Sequence, residues 1–395
     1  MFVPFSDRVA SVQPSAIREI LKFTSDPEVI SFAAGNPAPE AFPVDTIARL
    51  SAEIFAQEPI SALQYSITEG YPKLREWLKA DLTQKKLFAE GDSVVITAGA
   101  QQAIETCAKI LCNDGDVIIC EDPSFIGSLN AFRCTGVKLV GIPMDDDGMK
   151  MDELEAALKA NKNVKFIYTI PNFQNPTGRT TTLERRKQML ELAKKYSVYI
   201  LEDNPYGALR FAGEEVPCIK ELDTDGHVLY AGTFSKTLAP GLRVGYLLAQ
   251  QELVAKAVVG LQTSTVHTNI WAQMIAYKFV TTVDFEEHLT KLRAIYRAKC
   301  SLMLDALKAQ MPSFIEFTQP QGGLFIWATL PEKFDMNKFC TEAVKRKVAV
   351  VPGNAFLADE SAASHSFRLN YSTPTDEQIV KGVEILSKAA KELLV

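Results

Sequence analysis

Between about residues 93 and 250 short β-branched runs alternate with longer amphipathic stretches. The runs fall at 93–97, 116–120, 137–142, 164–170, 196–201, 228–231 and 244–248. Strands separated by helix-length connections read as a mostly parallel sheet covered by helices. The expected fold class is therefore α/β, with a mostly parallel seven-stranded sheet flanked by helices. Ligands of such sheets collect beyond the carboxyl ends of the strands, which is where Gly99, Phe125, Asn175, Asp203 and Lys236 fall. Further on, a charged helix near 285–310 leads to strands at 323–327, 348–351 and 367–371 and a closing helix at 376–394. These form a smaller α+β domain. The expected division is an N-terminal arm over 1–45 that packs with the small domain, a large ligand-binding domain over 46–285 and the small domain over 286–395.

One loop in this frame has unusual chemistry. Gly232-Thr233-Phe234-Ser235-Lys236 is followed, seven positions after the lysine, by Arg243. A primary amine condenses with an aldehyde to give an imine, so lysine is the side chain that can hold pyridoxal phosphate covalently and later act as a base. Thr233 and Ser235 can donate hydroxyl hydrogen bonds to phosphate oxygens, and the Arg243 fork matches a phosphate dianion. A lysine beside serine in a loop is ordinarily a solvated surface residue, so the reading needs support from elsewhere.

Three upstream segments supply it, each at the end of an expected strand. Pro171 to Gly178 is a tight turn rich in Pro, Asn and Gly, and its Asn175 can donate to the phenolic oxygen of the cofactor and to a substrate carboxylate. Asp203, after the run ending at Leu201, is placed to pair with the pyridine nitrogen, and Tyr206 to donate to the phenolic oxygen. A carboxylate there keeps the ring protonated, which is what draws electrons from the substrate α-carbon. Taken alone, Asp203 reads equally well as a helix N-cap. Gly99, Ala100 and Gln101 mark a strand running into a helix, whose first backbone amides form an anion site. A glycine before a helix is usually only a turn.

These four segments, in this order, resemble the fold-type I pyridoxal-phosphate enzymes, in particular the class I/II aminotransferases of the 2-aminoadipate, kynurenine and aromatic branch. The likeness covers nearly the whole chain and includes Ser31-Phe32-Ala33-Ala34-Gly35-Asn36-Pro37, Leu63-Gln64-Tyr65-Ser66, Glu121-Asp122-Pro123-Ser124-Phe125 and Ser366-Phe367-Arg368-Leu369-Asn370-Tyr371. The resemblance implies that Lys236 bonds the cofactor, Asp203 pairs with the pyridinium, and Asn175 and Tyr206 approach its phenolic oxygen. Phe125 stands where many relatives carry a tyrosine stacked on the ring, so stacking survives without the hydroxyl. Arg368 is similar to the arginine that clamps the substrate α-carboxylate, helped by Asn175 and the backbone near Gly35. Tyr65 is similar to a tyrosine that reaches the phosphate of the neighbouring subunit, which implies a homodimer with shared sites. Arg18 sits on an expected N-terminal helix from which relatives read a side-chain carboxylate, and this implies glutamate and 2-oxoglutarate as one substrate pair. The solvated face of that helix is the other reading of Arg18.

The rest of the sequence narrows the setting. The chain has 395 residues, 47% of them apolar, enough for two domains sharing a cleft. A net charge of −6, without a basic stripe, points to small-molecule partners rather than nucleic acid. There is no bilayer-length apolar run and no signal-peptide pattern, and seven scattered cysteines suit a reducing compartment, so the expected location is the cytoplasm, with no membrane partner. The four histidines form no metal-ligand pattern. The expected activity is reversible transamination, in which the freed Lys236 amine moves the α-proton. An unperturbed lysine titrates near about 10.4, and burial beside the cofactor and Arg243 lowers it. A lyase or decarboxylase on the same scaffold is the alternative, separable by product analysis. A regulator carrying a winged-helix module finds no room, because the aminotransferase-like region begins by about residue 30. A non-catalytic amino-acid-binding protein is at odds with the lysine, aspartate and arginines being present together.

Overall fold

The computed structural model describes residues 26–394, together with residues 3, 5–10 and 12. Arg18 lies outside the described residues. The strands, in chain order, are β1 (Ile30–Ser31), β2 (Asp92–Thr97), β3 (Val117–Asp122), β4 (Lys138–Asp145), β5 (Gly148–Met149), β6 (Val164–Thr169), β7 (Tyr199–Asp203), β8 (Val228–Thr233), β9 (Gly245–Gln250), β10 (Glu316–Phe317), β11 (Phe325–Thr329), β12 (Val348–Ala349), β13 (Val351–Pro352) and β14 (Ser366–Asn370). The main sheet has the order β2-β9-β8-β7-β6-β3-β4-β5. Pairing is parallel from β4 through β3, β6 and β7 to β8, and antiparallel where β9 joins β8 and β2 and where β5 joins β4.

The sheet thus has eight strands, not seven. The extra one is a two-residue edge entered through Gly148 at φ 116°, too short to register as a periodic run. The strand expected at 196–201 starts instead at Tyr199, because the helix Leu183–Tyr196, capped by Thr182, extends to Tyr196 and stops at Ser197 in the left-handed region. Apolar side chains fill both faces. Val95, Leu201, Leu229 and Leu247 belong to one buried cluster, and Val94, Ile96, Tyr230 and Leu248 to a second on the opposite face. From β3 the chain moves to β4 on one side and returns as β6 on the other. The loops after β3 and β6 diverge at this reversal and leave a crevice above the strand ends.

The helix Phe285–Gln310 leads from the large sheet to a four-stranded sheet of order β10-β11-β14-β13, closed by the helix Asp376–Leu394. The strand expected over 348–351 is two short strands in different sheets. β12 pairs in parallel with β1, while β13 pairs with β14, and the fully buried Val350 lies between them. Residues 30–41 follow the C-terminal part of the chain: Phe32 N donates to Ala349 O at 2.8 Å, Asn370 N to Phe32 O at 2.8 Å, and Ser372 Oγ to Asn36 O at 2.6 Å. Those bonds carry Gly35 over the ends of the main strands.

Candidate active site

Lys236 follows β8, its amine reaching across the crevice to donate to Gly35 O at 2.7 Å. Burial, helped by the nearby cations Arg368 and Arg243 and opposed by Asp203, brings this amine down to about 8. Asp203 ends β7 and is no helix cap. Burial raises its carboxyl to about 7, and a hydrogen bond from Tyr168 works the other way. Asp203 Oδ2 accepts from the Tyr168 hydroxyl at 2.8 Å, whereas Oδ1 is buried without a hydrogen-bond partner among the described residues. A buried, unsatisfied carboxylate oxygen is costly unless a donor arrives. The protonated nitrogen of a pyridine ring is such a donor.

Beyond the end of β2 and beside the start of β9, Gly99 lies at φ 74° just before the helix Ala100–Leu111. A Cβ on Gly99 would sit 2.4 Å from Arg243 Nη2. The guanidinium fills that space, donating from Nη2 to Ala98 O at 2.7 Å and from Nη1 to Ser235 Oγ at 3.4 Å. Thr233 Oγ1 donates to Ser235 Oγ at 2.9 Å, so both hydroxyls stand beside the cation and the helix start. Ala100 and Gln101 contribute backbone amides there, which lack intrahelical acceptors. The Gln101 side chain is engaged elsewhere, donating to Gly127 O at 2.9 Å, and the Phe125 ring packs over the same Gly127.

Arg368, on β14, is almost fully buried. Its guanidinium lies between the rings of Phe325 and Phe356, 4.3 and 5.0 Å from their centroids, a cation–π arrangement that offsets lost hydration. Nη1 donates to Asn175 Oδ1 at 2.7 Å and Nη2 to Ala33 O at 2.6 Å, while Nε has no partner among the described residues. Burial lowers the group to about 10, so it stays charged at neutral pH. Tyr206 is also buried, and burial raises its hydroxyl, with Arg368 pulling against that rise. Tyr65 stands apart, 80% exposed, its ring edge-on to His267.

Sequence reading missed Tyr168, Ser128, Phe325 and Phe356, along with Glu121, a fully buried carboxylate raised by burial to about 6. Glu121 accepts from Thr169 Oγ1 at 2.5 Å and Gln174 Nε2 at 3.1 Å, and so braces the loop that carries Asn175. A cavity of about 560 Å³, lined by Trp77, Asn204, Arg210, Tyr230, Phe234 and Tyr246 among others, lies next to this set without including Lys236 or Asp203. It opens on the sheet face that carries Tyr230 and Glu202, opposite the face of Tyr168 and Asp203.

An amine, an unpartnered buried carboxylate oxygen, an amide-and-guanidinium cradle and a stacked arginine suit a phosphorylated pyridine aldehyde and a carboxylate substrate. Residues 27–386 match the sequence model of aminotransferase class I and II. The chain belongs to that family. It is 40% identical over 398 residues to aromatic-amino-acid aminotransferase 1 of Thermococcus litoralis, covering 98% of this chain and 94% of the relative. It is 36% identical to the 2-aminoadipate transaminase of Thermus thermophilus over 393 residues, 99% of this chain and 97% of that one. Among solved structures, the kynurenine aminotransferase of Pyrococcus horikoshii, in complex with PMP, superimposes with a TM-score of 0.95 at 37% identity, covering 99% of this chain and 98% of that one. This aminotransferase uses pyridoxal phosphate and has the fold-type I architecture of its structural neighbours. Its substrates are amino acids and keto acids.

Proposed function

We propose that Lys236 holds the cofactor and moves the substrate proton, with Asp203 on the ring nitrogen, Asn175 and Tyr206 at the phenolic oxygen, Phe125 against the ring, and Gly99, Ala100, Gln101, Thr233, Ser235 and Arg243 around the phosphate. The observation that carries this reading is the unpartnered, buried Oδ1 of Asp203 in the same crevice as the Lys236 amine. Bound pyridoxal phosphate supplies an aldehyde for imine exchange and a protonated ring that accepts electrons from the α-carbon. Arg368 binds the substrate α-carboxylate through its fork, with Asn175 and the backbone near Gly35 fixing the angle. Held so, the substrate α-carbon would lie within reach of the Lys236 amine. Lys236, whose amine burial lowers to about 8, would serve as the base for the α-proton and as the acid that gives it up to the former aldehyde carbon of the cofactor.

Glutamate and 2-oxoglutarate are proposed as one substrate pair, with Arg18 reading the distal carboxylate. The proposed assembly is a homodimer in which Tyr65 completes the partner's phosphate site, an assignment supported by an exposed apolar strip around it. Seven unpaired cysteines support the cytoplasm as its location, and among the described residues no helix is long and apolar enough to cross a membrane. The decisive experiment is borohydride reduction of the holoprotein followed by peptide mapping. The label is expected on Lys236; a label on any other lysine refutes the assignment. An absorbance screen of the same holoprotein against a panel of amino acids then reads donor preference directly.

A further inference from the structure

Asp203, the proposed counter-ion, is held by Tyr168 and, through Tyr168, by Ser128. Ser128 Oγ donates to the Tyr168 hydroxyl at 2.7 Å, and that hydroxyl donates to Asp203 Oδ2 at 2.8 Å. Ser128 and Tyr168 are fully buried and Asp203 nearly so. Tyr168 occupies β6 on the same sheet face as Asp203, since its register partner Leu201 lies two residues before the aspartate on β7. Its ring is fixed edge-on against Phe132 at 5.2 Å. Ser128 lies in the first turn of the helix Ile126–Arg133, which begins directly after Phe125. The relay therefore ties the segment expected to face the cofactor ring to the group expected to pair with its nitrogen.

We propose that Tyr168, itself held by Ser128, is the positioning residue of the Asp203 counter-ion, fixing Oδ2 so that Oδ1 meets the ring nitrogen while the carboxylate stays ionised. This rests on the assignment of Asp203 made above. Asp203 and the pyridine nitrogen compete for one proton. A donor to the carboxylate stabilises its anionic form and leaves the proton on the ring; without the donor, the buried pair relaxes toward a neutral acid and a neutral pyridine. A neutral ring is the weaker electron acceptor. The hydroxyl suits this task because burial and the adjacent Asp203 raise it well above 10, so it remains a donor across the working pH range. A single protein donor also matters in number. It satisfies one carboxylate oxygen and leaves the other for the ligand.

The test uses holoenzyme loaded with cofactor carrying nitrogen-15 in the ring, whose chemical shift separates protonated from unprotonated pyridine. In Tyr168→Phe the signal is expected to move toward the unprotonated value, and kcat to fall about 10- to 100-fold, the scale of one charge-assisted hydrogen bond, with KM for the amino acid changed less than about twofold. Ser128→Ala, which keeps the ring and releases only its hydroxyl, is expected to move the signal the same way by less, and decides the matter if the phenylalanine variant does not fold. An unmoved nitrogen signal in both variants overturns the relay. Asp203→Asn is run alongside. If its nitrogen signal moves while those of the other two do not, the relay alone is wrong. If it stays at the wild-type position, the assignment of Asp203 fails and takes the relay with it.

Discussion

Asp203 bears a stability cost that a donor to its unpartnered oxygen would remove. Burial raises its folded-state carboxyl from 3.8 to about 7, so between these values the folded apoprotein keeps a proton that the unfolded chain has lost. The stabilising share is complete at acid pH and disappears as pH rises through about 7, above which the protein holds an incompletely satisfied buried anion. Asp203→Asn is therefore expected to melt higher than the wild type as apoprotein at pH 8, by the equivalent of roughly 2–4 kcal/mol, with the gain shrinking toward zero near pH 4. Thermal melts of cofactor-free protein across that range check both the sign and the window. Arg368 gives a second prediction at this scale. Lysine keeps its charge but not the planar fork or the stacking between Phe325 and Phe356. Arg368→Lys is expected to lower kcat/KM for an amino acid by at least about tenfold, and steady-state kinetics with the unmodified cofactor site intact would show it.

The turn from β2 into the helix Ala100–Leu111 shows how one backbone conformation serves the site. Gly99 combines φ 74° with ψ 174°, a region essentially restricted to glycine, and the place of a Cβ is already taken by Arg243. Gly99→Ala is expected to displace the guanidinium from Ala98 O and weaken pyridoxal phosphate binding by about tenfold or more, while the strand and helix persist. Fluorescence titration of apoprotein measures this, and an unchanged dissociation constant would contradict it. This turn was legible in the sequence because a β-branched run, a glycine and an amphipathic helix follow one another locally. The positions of Asn175, Asp203 and Lys236 were legible for the same reason, each lying at or beyond the end of a strand with a recognisable period. Tyr168 was not, since inside the buried run 164–169 it reads as another core aromatic. Its meaning comes from cross-strand register with β7 and from Ser128, 40 residues away. The stacking of Arg368 was hidden likewise, because Phe325 and Phe356 come from separate elements. The strand expected at 348–351 divided because β1, more than 300 residues earlier, captures its first half.

At the scale of the molecule, the surface argues for a second subunit. Ile60 and Leu63 are each 73% exposed, Tyr65 is 80% exposed, and Phe55, Ile67, Val266 and Trp271 are also open. Ring contacts between Phe55 and Trp271 and between Tyr65 and His267 join the segment 55–67 to the segment 266–271, so these side chains form one strip rather than scattered positions. Contiguous apolar surface of this kind marks an interface more often than free surface. In a two-fold dimer, charge placed within such a strip would meet its own copy, so each substitution would act twice. On the proposed assembly, Leu63→Asp is expected to give a folded monomer by light scattering, with cofactor binding weakened because each site would lose the tyrosine of its neighbour. Tyr65→Phe separates assembly from binding, since it should leave the dimer intact and lower only the affinity for pyridoxal phosphate. A monomeric Leu63→Asp protein with wild-type cofactor affinity would show that each chain builds its phosphate site alone, and would remove Tyr65 from it.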